Sequence, residues 1–463
     1  MPLVVGVAVL LAVPGGAFAA SKKIPRPATP PGSLQQLPGK AGCLADRSKP
    51  IHGCATVRAL KGPAPFLGSE AIAASQDGKT VYVASSRSNA IAIFQRDSNT
   101  GMLTQQSGKA GCIAEHGREG CARANGLIGP NSVAVSPSGR NVYATAVGSN
   151  AVTVFRRNRE TGELRQPIGG NGCIANTVRP GCQGGRSLLG ADVVVVSPDG
   201  NNVYVGAFFG NSVAVFDVNK LTGTLSQPIN DTGCIGETGI GRCTNGLALL
   251  APEGMAISAD GNTVYAATAL SNALVVLNRD TRGALTQATD GSGCFTDAPR
   301  PNCTTGTQLG GANAVAISPG DDSVYVTTLF SNTVSSFSRQ KATGRLMQQP
   351  GTSACAINIL AVGCSLARHL EAPEGVTASP DGLNVYASAF RSNAIDIFNR
   401  KPSTGGLLQM KPRAGCVISA IGEDCLPARG LRESSATAIS PDGNYLYSAA
   451  FKSNAVGVFQ RVR

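Results

Sequence analysis

The sequence predicts an all-β protein that folds as a single β-propeller with seven four-stranded blades. Three observations support this prediction. The cysteines occur in pairs, and from Cys112 onward the first member of each pair recurs every 60 or 61 residues. A pattern of four short strands repeats between the pairs. No stretch has the 3.6-residue apolar period of an amphipathic helix. Repeats of this length with four strands each are typical of blades arranged around a central channel.

The first residues, MPLVVGVAVLLAVPGGAFAA (1–20), predict a cleaved secretory signal peptide. Their apolar core is followed by Pro-Gly-Gly and a small-residue Ala-Phe-Ala site, and it is too short to span a membrane. Residues 21–31, SKKIPRPATPP, predict a flexible leader. No other long apolar run follows, so we expect an exported protein without a membrane span.

The fourteen cysteines form seven neighbouring pairs, six of them with eight residues between the two cysteines. In an exported protein, an even count at regular spacing favours disulfides. Zinc sites need four ligands each, and the chain has only three histidines. We therefore expect one local disulfide per repeat. The pairs are Cys43 and Cys54, Cys112 and Cys121, Cys173 and Cys182, Cys234 and Cys243, Cys294 and Cys303, Cys355 and Cys364, and Cys416 and Cys425.

One repeat, DVVVVSPDGNNVYVGAFFGNSVAVFDVNKLTGTLSQ (192–227), shows the four strands in order. A β-rich run ends in the tight turn SPDG, and NVYVGAF follows. A two-residue Gly-Asn hairpin signal leads into SVAVF, and a polar loop leads into TGTLSQ. Seven such turns after a first strand occur between residues 75 and 443, which gives the number of blades.

The two ends of the repeat array predict how the ring closes. The last repeat stops at NAVGVFQRVR, after its third strand, and so lacks a fourth. Near the other end, Gly32 to Gln36 (GSLQQ) match the G-x-L-x-Q pattern of every fourth strand. This segment is expected to complete the seventh blade and to remove an exposed sheet edge. The propeller domain is therefore predicted to span residues 32–463.

The stretches SPDGNNVYV…GNSVAVFDVNKLTGTLSQ and VYVTTLFSNTVSSF resemble the YVTN-type seven-bladed propellers, which are related to the lactonase and muconate-cycloisomerase-like family. The resemblance covers nearly all of the chain after the leader and implies the fold. It also implies a small-lactone hydrolase or isomerase. Lactonases of the family carry an Arg-His pair at the start of an inner strand. The matching positions here include Glu253-Gly254 and Glu374-Gly375, without histidine.

One set of polar residues occupies the same position in every repeat, five residues before the serine of the first turn. In a propeller, this position lies at the rim of the central channel. Oxygen ligands in a circle suit Ca²⁺ or another divalent cation, with the carboxylates of Glu70, Asp192, Glu253 and Glu374 as candidate ligands. They also suit acid–base work, for which Glu253 and Glu374 share an Ala-Pro-Glu-Gly context. The alternative is that they cap strand ends and line a wet channel. The set is Glu70, Asn131, Asp192, Glu253, Asn313, Glu374 and Ser435.

A second layer of residues precedes the asparagines of the turns between second and third strands. Aromatic, aliphatic and basic side chains there either form a ligand pocket or pack under the disulfide loops. They are Arg87, Phe208, Phe209, Leu270, Phe330, Phe390, Arg391, Phe451 and Lys452.

The formal net charge is +12. No basic strip with interleaved aromatic residues indicates nucleic-acid binding. For an exported protein, we expect a small molecule, a glycan or a cell-surface partner, and a monomer.

Two functions follow from these features. The first is a secreted binding or scaffold propeller, with its partner site on the disulfide-bearing face at the channel mouth. The second is a lactonase-like enzyme acting in the channel, with or without a divalent cation. The missing Arg-His pair favours the first function, and the carboxylates keep the second open. Fold alone does not decide between them.

Overall fold

The structure is a computed structural model that describes residues 29–63, 70–238, 241–359, 361–420 and 424–463. The predicted signal peptide and residues 21–28 of the predicted leader lie outside the described residues. Within the described ranges, no helix is long and apolar enough to cross a membrane.

Seven sheets, one per repeat, confirm the seven-bladed propeller, and their four main strands pair antiparallel. The innermost strands are Ile72–Ala74, Pro130–Val135, Ala191–Val196, Pro252–Ile257, Ala312–Ile317, Pro373–Ala378 and Ser434–Ile439. The second strands are Thr80–Ser85, Asn141–Ala146, Asn202–Ala207, Thr263–Thr268, Ser323–Thr328, Asn384–Ala389 and Tyr445–Ala450. The third strands are Ala90–Arg96, Ala151–Arg157, Ser212–Val218, Ala273–Arg279, Thr333–Arg339, Ala394–Arg400 and Ala455–Arg461. Blades are numbered one to seven in this order.

The outer strand of each blade consists of two segments that pair with the same third strand. The segments are given in chain order, so the first in each list belongs to blade seven and the others to blades one to six. The first segments are Leu34–Gln36, Leu103–Gln105, Leu164–Arg165, Leu225–Ser226, Leu285–Gln287, Leu346–Gln348 and Leu407–Gln409. The second segments are Cys43–Asp46, Cys112–Glu115, Cys173–Ala175, Cys234–Glu237, Gly291–Thr296, Cys355–Ile357 and Cys416–Ile418. Short 3-10 turns are Gly39–Gly42, Gly108–Gly111, Arg118–Gly120, Val147–Ser149, Gly169–Gly172 and Asp231–Gly233.

A further short strand after the second cysteine runs parallel to the outer strand, beyond the four strands that the repeat pattern predicts. These strands are Ala55–Val57, Ala122–Ala124, Gln183–Gly184, Thr244–Gly246, Cys303–Thr305, Cys364–Leu366 and Leu426–Pro427. The seven predicted disulfides are all present, and each closes the loop between the outer strand and this parallel strand. Two or three residues are too few for an alternating pattern, so the sequence does not reveal this strand.

The ring closes as the sequence predicts. Leu34 pairs with Arg461 and Gln36 with Phe459, so the N-terminal segment is the outer strand of blade seven. Cys43 continues the same edge opposite Gly457. Leu34 is fully buried in the core of that blade. The two ends of the chain are thereby held in one sheet.

Neighbouring blades are joined by a buried arginine clasp. Arg157 of blade two donates from Nε to the hydroxyl of Tyr82 in blade one, at 2.8 Å. Its Nη1 lies 2.8 Å from Oδ2 of Asp77, and Tyr82 donates to the carbonyl of Gly162 in blade two. Six of the seven interfaces have this clasp. The arginine–tyrosine–aspartate sets are Arg96–Tyr447–Asp442, Arg157–Tyr82–Asp77, Arg279–Tyr204–Asp199, Arg339–Tyr265–Asp260, Arg400–Tyr325–Asp322 and Arg461–Tyr386–Asp381.

The interface between blades two and three lacks the charged half of the clasp. Val218 occupies the arginine position and Ser138 the aspartate position. Tyr143 still donates to the carbonyl of Gly223, at 3.0 Å. Both charges are absent together, so neither is left buried without its partner, which would be costly.

Removing the closing strand is expected to destabilise the protein. Deleting residues 32–36 exposes the third strand of blade seven, and Leu34→Ala alone should cost about 3 kcal/mol because Leu34 is fully buried. The control Leu408→Ala changes an exposed leucine in the outer strand of blade six and should stay within about 0.5 kcal/mol. Denaturant unfolding measures both. A deletion variant that melts like the wild type would show that blade seven is built differently.

Breaking one clasp is expected to be nearly as damaging. Arg157→Met leaves Asp77 part-buried without its cation, so the free energy of unfolding should fall by about 3 kcal/mol at neutral pH. Arg159→Met, at an exposed arginine two residues later, is the matched control. Equal small effects from both variants would contradict a structural role for the clasp.

The penalty for breaking the clasp should depend on pH. Burial by itself would raise the pKa of Asp77, but hydrogen bonds from Arg157, Ser75 and the N–H of Lys79 outweigh it and lower the pKa to about 2. A depressed carboxyl pKa stabilises the folded state above the unfolded value of 3.8, and this contribution is lost as the pH falls through about 2. The difference between wild type and Arg157→Met should therefore shrink over this range. A constant difference would show that Asp77 does not carry the effect.

Candidate functional site

The seven ring residues predicted from the repeats lie together at the start of the innermost strands. Six of them are the second residue of their strand, as Glu253 is in Pro252–Ile257. At each of these six, the pairing with the second strand shifts register around the ring residue. Such a β-bulge places an extra residue on one strand and redirects its side chain. Glu70 comes just before its strand, Ile72–Ala74.

An asparagine from the preceding blade fixes the approach to each ring position. Asn211 has left-handed backbone (φ 48), and its Oδ1 accepts the N–H of Ala251, two residues before Glu253, at 3.0 Å. Equivalent bonds occur at all seven interfaces, and in blade one the bond is to Gly62. The sequence marks these asparagines only as hairpin residues, because the bond crosses between repeats.

The ring is mostly buried. Asn131, Asp192 and Glu253 are 5%, 4% and 2% exposed. Asn313, Glu374 and Ser435 are fully buried. Glu70 is part-exposed as a residue, although its carboxyl group is enclosed. The ring is therefore an enclosed polar cluster.

Hydrogen bonds link ring residues of different blades. Asn313 donates from Nδ2 to Oε2 of Glu253 at 2.7 Å, and Asn131 donates to Oδ1 of Asp192. Glu70 reaches from blade one to blade four, where its Oε1 accepts the N–H of Met255 at 3.0 Å. Oδ2 of Asp192 is buried and has no hydrogen-bond partner among the described residues. The side chain of Glu70 therefore crosses the channel, and Asp192 has one carboxylate oxygen that could accept a hydrogen bond from a ligand.

Burial raises the pKa of three ring carboxyls. Enclosure raises the pKa of Glu70 to about 8, against the opposing hydrogen bond from Met255. The pKa of Asp192 is well above its usual range because of burial and, secondarily, the charge of Glu70. Burial and the charges of Asp192 and Glu374 raise the pKa of Glu253 strongly, which the bond from Asn313 only partly opposes. Near neutral pH, the cluster therefore carries protons.

The geometry gives no preformed metal site in the ring. Among the described residues, the only group of three or more histidine, cysteine or acidic side chains with ligand atoms within 4.8 Å of one another is His369, Cys416 and Cys425. Those two cysteines form a disulfide, which removes their thiolates as ligands. A divalent cation bound by Glu70, Asp192, Glu253 and Glu374 stays a prediction.

The positions that follow Glu253 and Glu374 have no room for a side chain. A Cβ at Gly254 would lie 2.1 Å from the carbonyl oxygen of Asn313 in the next blade. At Gly375 it would lie 2.6 Å from the carbonyl oxygen of Ser435. Histidine is therefore excluded at both positions by the close approach of the adjacent strand.

The second layer of turn residues lies on the same face. Phe209, Leu270 and Phe330 are 61%, 61% and 66% exposed. The guanidinium of Arg87 lies over the ring of Phe451, 4.2 Å from its centroid. The three apolar residues therefore do not pack under the disulfide loops.

Comparison with known proteins gives one family. The family described as "Lactonase, 7-bladed beta-propeller" matches residues 67–168 and 251–418, together more than half of the chain. No curated protein matches the chain in sequence.

Solved structures share the fold at low identity. A proposed 6-phosphogluconolactonase from Bacteroides uniformis is 19% identical, with a TM-score of 0.52 over 80% of this chain and 87% of that one. A functionally unknown protein from Desulfotomaculum acetoxidans is 15% identical, with a TM-score of 0.53 over 82% and 92% of the two chains. Hydrazine synthase of Kuenenia stuttgartiensis is 16% identical, with a TM-score of 0.50 over 86% and 97%. At these identities, the likeness concerns the fold alone.

The raised pKa of Glu70 predicts a pH-dependent stability. Protonated Glu70 favours the folded state, so this contribution is complete below the unfolded pKa of 4.5 and is lost as the pH rises through about 8. Glu70→Gln removes the titration and still accepts the N–H of Met255. Its stability relative to wild type should therefore rise with pH by up to about 1.4 kcal/mol per unit over this range. The control is Glu160→Gln, at an exposed glutamate. A pH-independent difference would contradict the burial of the Glu70 carboxyl group.

Proposed function

Because the chain belongs to the Lactonase family of seven-bladed β-propellers, we propose that it hydrolyses a lactone in its central channel, with ring carboxyl groups as base and acid. Family membership favours this enzyme over the binding or scaffold protein that the sequence also allows. Export is part of the proposal, supported by the signal-like N-terminus and by the seven disulfides.

The observation that carries the proposal is the enclosure of several carboxyl groups in one ring at the channel, where Oδ2 of Asp192 is buried without a hydrogen-bond partner among the described residues. A site that needs both a base and an acid contains titratable groups whose surroundings hold their pKa values apart. The pKa of Glu70 is raised to about 8, so this group ionises in mildly alkaline solution. Burial raises the pKa of Asp192 and Glu253 well above the usual range, and neighbouring charge adds to this rise. In the proposal, Glu70 is the base and the other two are proton donors.

Lactone hydrolysis requires water to add to the carbonyl carbon and the ring C–O bond to break. In the proposed step, the ionised Glu70 takes a proton from water through Oε2, while its Oε1 keeps the bond from Met255. Protonated Asp192 or Glu253 donates a hydrogen bond to the carbonyl oxygen and then a proton to the departing ring oxygen. The product is a hydroxy acid, and water has been consumed. General acid–base catalysis of this kind contributes about 10²- to 10⁴-fold.

The proposed acid–base step is written without Ca²⁺, and a divalent cation bound by the ring carboxylates stays a separate prediction. A melting temperature that rises with Ca²⁺ concentration would nevertheless reveal a bound ion by mass action.

Activity should be lost when ring carboxyls are replaced by amides. Glu70→Gln is expected to lower kcat by about 10²-fold or more, because the base is removed. Glu253→Gln combined with Glu374→Gln should abolish hydrolysis. In wild type, the rate should rise with pH through about 8 as Glu70 ionises. Proton release from a panel of unsubstituted and substituted lactones measures both effects.

The matched control is Asp396→Asn. Asp396 is fully buried and its pKa is well above the usual range, but it lies on a third strand and is bonded to Gln409. This variant should keep full activity. Equal losses in Asp396→Asn and Glu70→Gln would show a general effect of removing a buried acid. No hydrolysis of any lactone by wild type would overturn the proposal.

A further inference from the structure

The turns between second and third strands carry a sorted set of side chains around the channel mouth. The position two residues before each left-handed asparagine is apolar in blades three to five and basic in blades six, seven and one. All seven residues at this position are exposed. They are Arg87, Gly148, Phe209, Leu270, Phe330, Arg391 and Lys452. Since these blades are neighbours, the face has one apolar arc and one basic arc.

A second loop shows the same division. The loop that leads into each innermost strand passes beside the turn just described. The position of interest in this loop is three residues before the ring residue in blades two to seven and is Lys61 in blade one. Carbonyl oxygens at this position accept turn N–H groups, as Leu189 accepts from Gly210 at 2.9 Å. The residue at this position is apolar in blades two to four and basic in blades seven and one. The residues are Lys61, Ile128, Leu189, Leu250, Gly310, Glu371 and Arg432.

Several charges of the basic arc are available to a partner. Lys61 lies 3.2 Å from Glu119, and Lys452 lies 2.8 Å from Glu433. Arg391 and Arg432 make no ion pair within the described ranges of the chain. Glu371 is the one acidic residue at either of the two loop positions.

We propose that this face docks on an anionic lipid bilayer. Adjacent sheets stack about 10 Å apart, so the tips of Phe209, Leu270 and Phe330 are separate protrusions and do not form one groove. A fluid bilayer interface accepts separated apolar side chains, whereas a folded protein would need a matching pocket for each. The basic arc complements anionic headgroups at the same height. An acidic polysaccharide would use the basic arc alone.

The test is co-sedimentation of the full chain with vesicles of phosphatidylglycerol and of phosphatidylcholine. Wild type should bind the first more strongly than the second. Phe209→Ser with Leu270→Ser and Phe330→Ser should lower the partition coefficient on phosphatidylglycerol by about tenfold or more. Arg391→Gln with Arg432→Gln should lower it on the order of tenfold, since each basic residue near an anionic surface contributes about fivefold.

Matched controls use equally exposed residues elsewhere. Leu221→Ser with Met347→Ser and Leu408→Ser changes side chains that are 94%, 62% and 63% exposed, away from this face. Arg159→Gln with Arg282→Gln removes the same charge from loops on the opposite face. Both controls should bind like wild type, and all variants should keep the wild-type melting temperature.

The outcomes separate the alternatives. Absence of wild-type binding to phosphatidylglycerol overturns the proposal, as does an equal loss in a variant and its control. Loss with the arginine variant but not with the apolar variant also overturns it, because it shows attraction to negative charge alone, as an acidic polymer would also provide. Because binding is measured, failure of lactone hydrolysis leaves this result unaffected.

Discussion

The buried guanidinium between neighbouring blades is the interaction on which the rest of this propeller depends. Apolar packing between sheets is non-directional, and alone it leaves the rotation of one blade against the next loosely defined. A buried arginine must satisfy several fixed donors at once, and it does so with a tyrosine hydroxyl, a carboxylate and a carbonyl from known positions. Each of the six clasps therefore sets the angle at one interface, while the interface between blades two and three keeps only the bond from the tyrosine hydroxyl.

The clasps and the candidate site occupy opposite ends of the same strands. Arg157 and Asp77 lie where third strands end and innermost strands turn back, whereas the ring residues lie where the innermost strands begin. On the site side, the contact between blades is the asparagine bond, which in six blades is made to the residue two positions before the ring residue and in blade one to Gly62. This separation leaves the mouth free to vary in chemistry while the other end maintains the geometry. It explains how a carboxyl cluster, in which burial opposes ionisation, is tolerated: its cost is met by contacts elsewhere.

The closed ring also accounts for the protonation of the site. Seven inner strands converge at the channel, so polar side chains that start from different blades are forced together and lose solvent. Burial is the main cause of the raised pKa of both Glu70 and Asp192, and the charge of Glu70 adds to it at Asp192. An isolated blade would leave these carboxyls in water at their ordinary pKa values. The raised pKa values of the ring carboxyls are therefore a property of the assembly.

The sequence by itself determined the number of blades, the seven disulfides, the closure by Gly32 to Gln36 and the seven positions of the ring. Each of these features repeats at a fixed spacing or depends on local turn residues, and both kinds of signal are visible in a single sequence. Tertiary structure alone decided which ring residues touch. The bond from Glu70 to Met255 joins positions 185 residues apart with no shared periodicity. The exclusion of histidine after Glu253 depends on a neighbouring backbone, and the sorting of rim residues into two arcs depends on which blades are adjacent. Contacts between repeats depend on angles in space, and a linear pattern does not contain them.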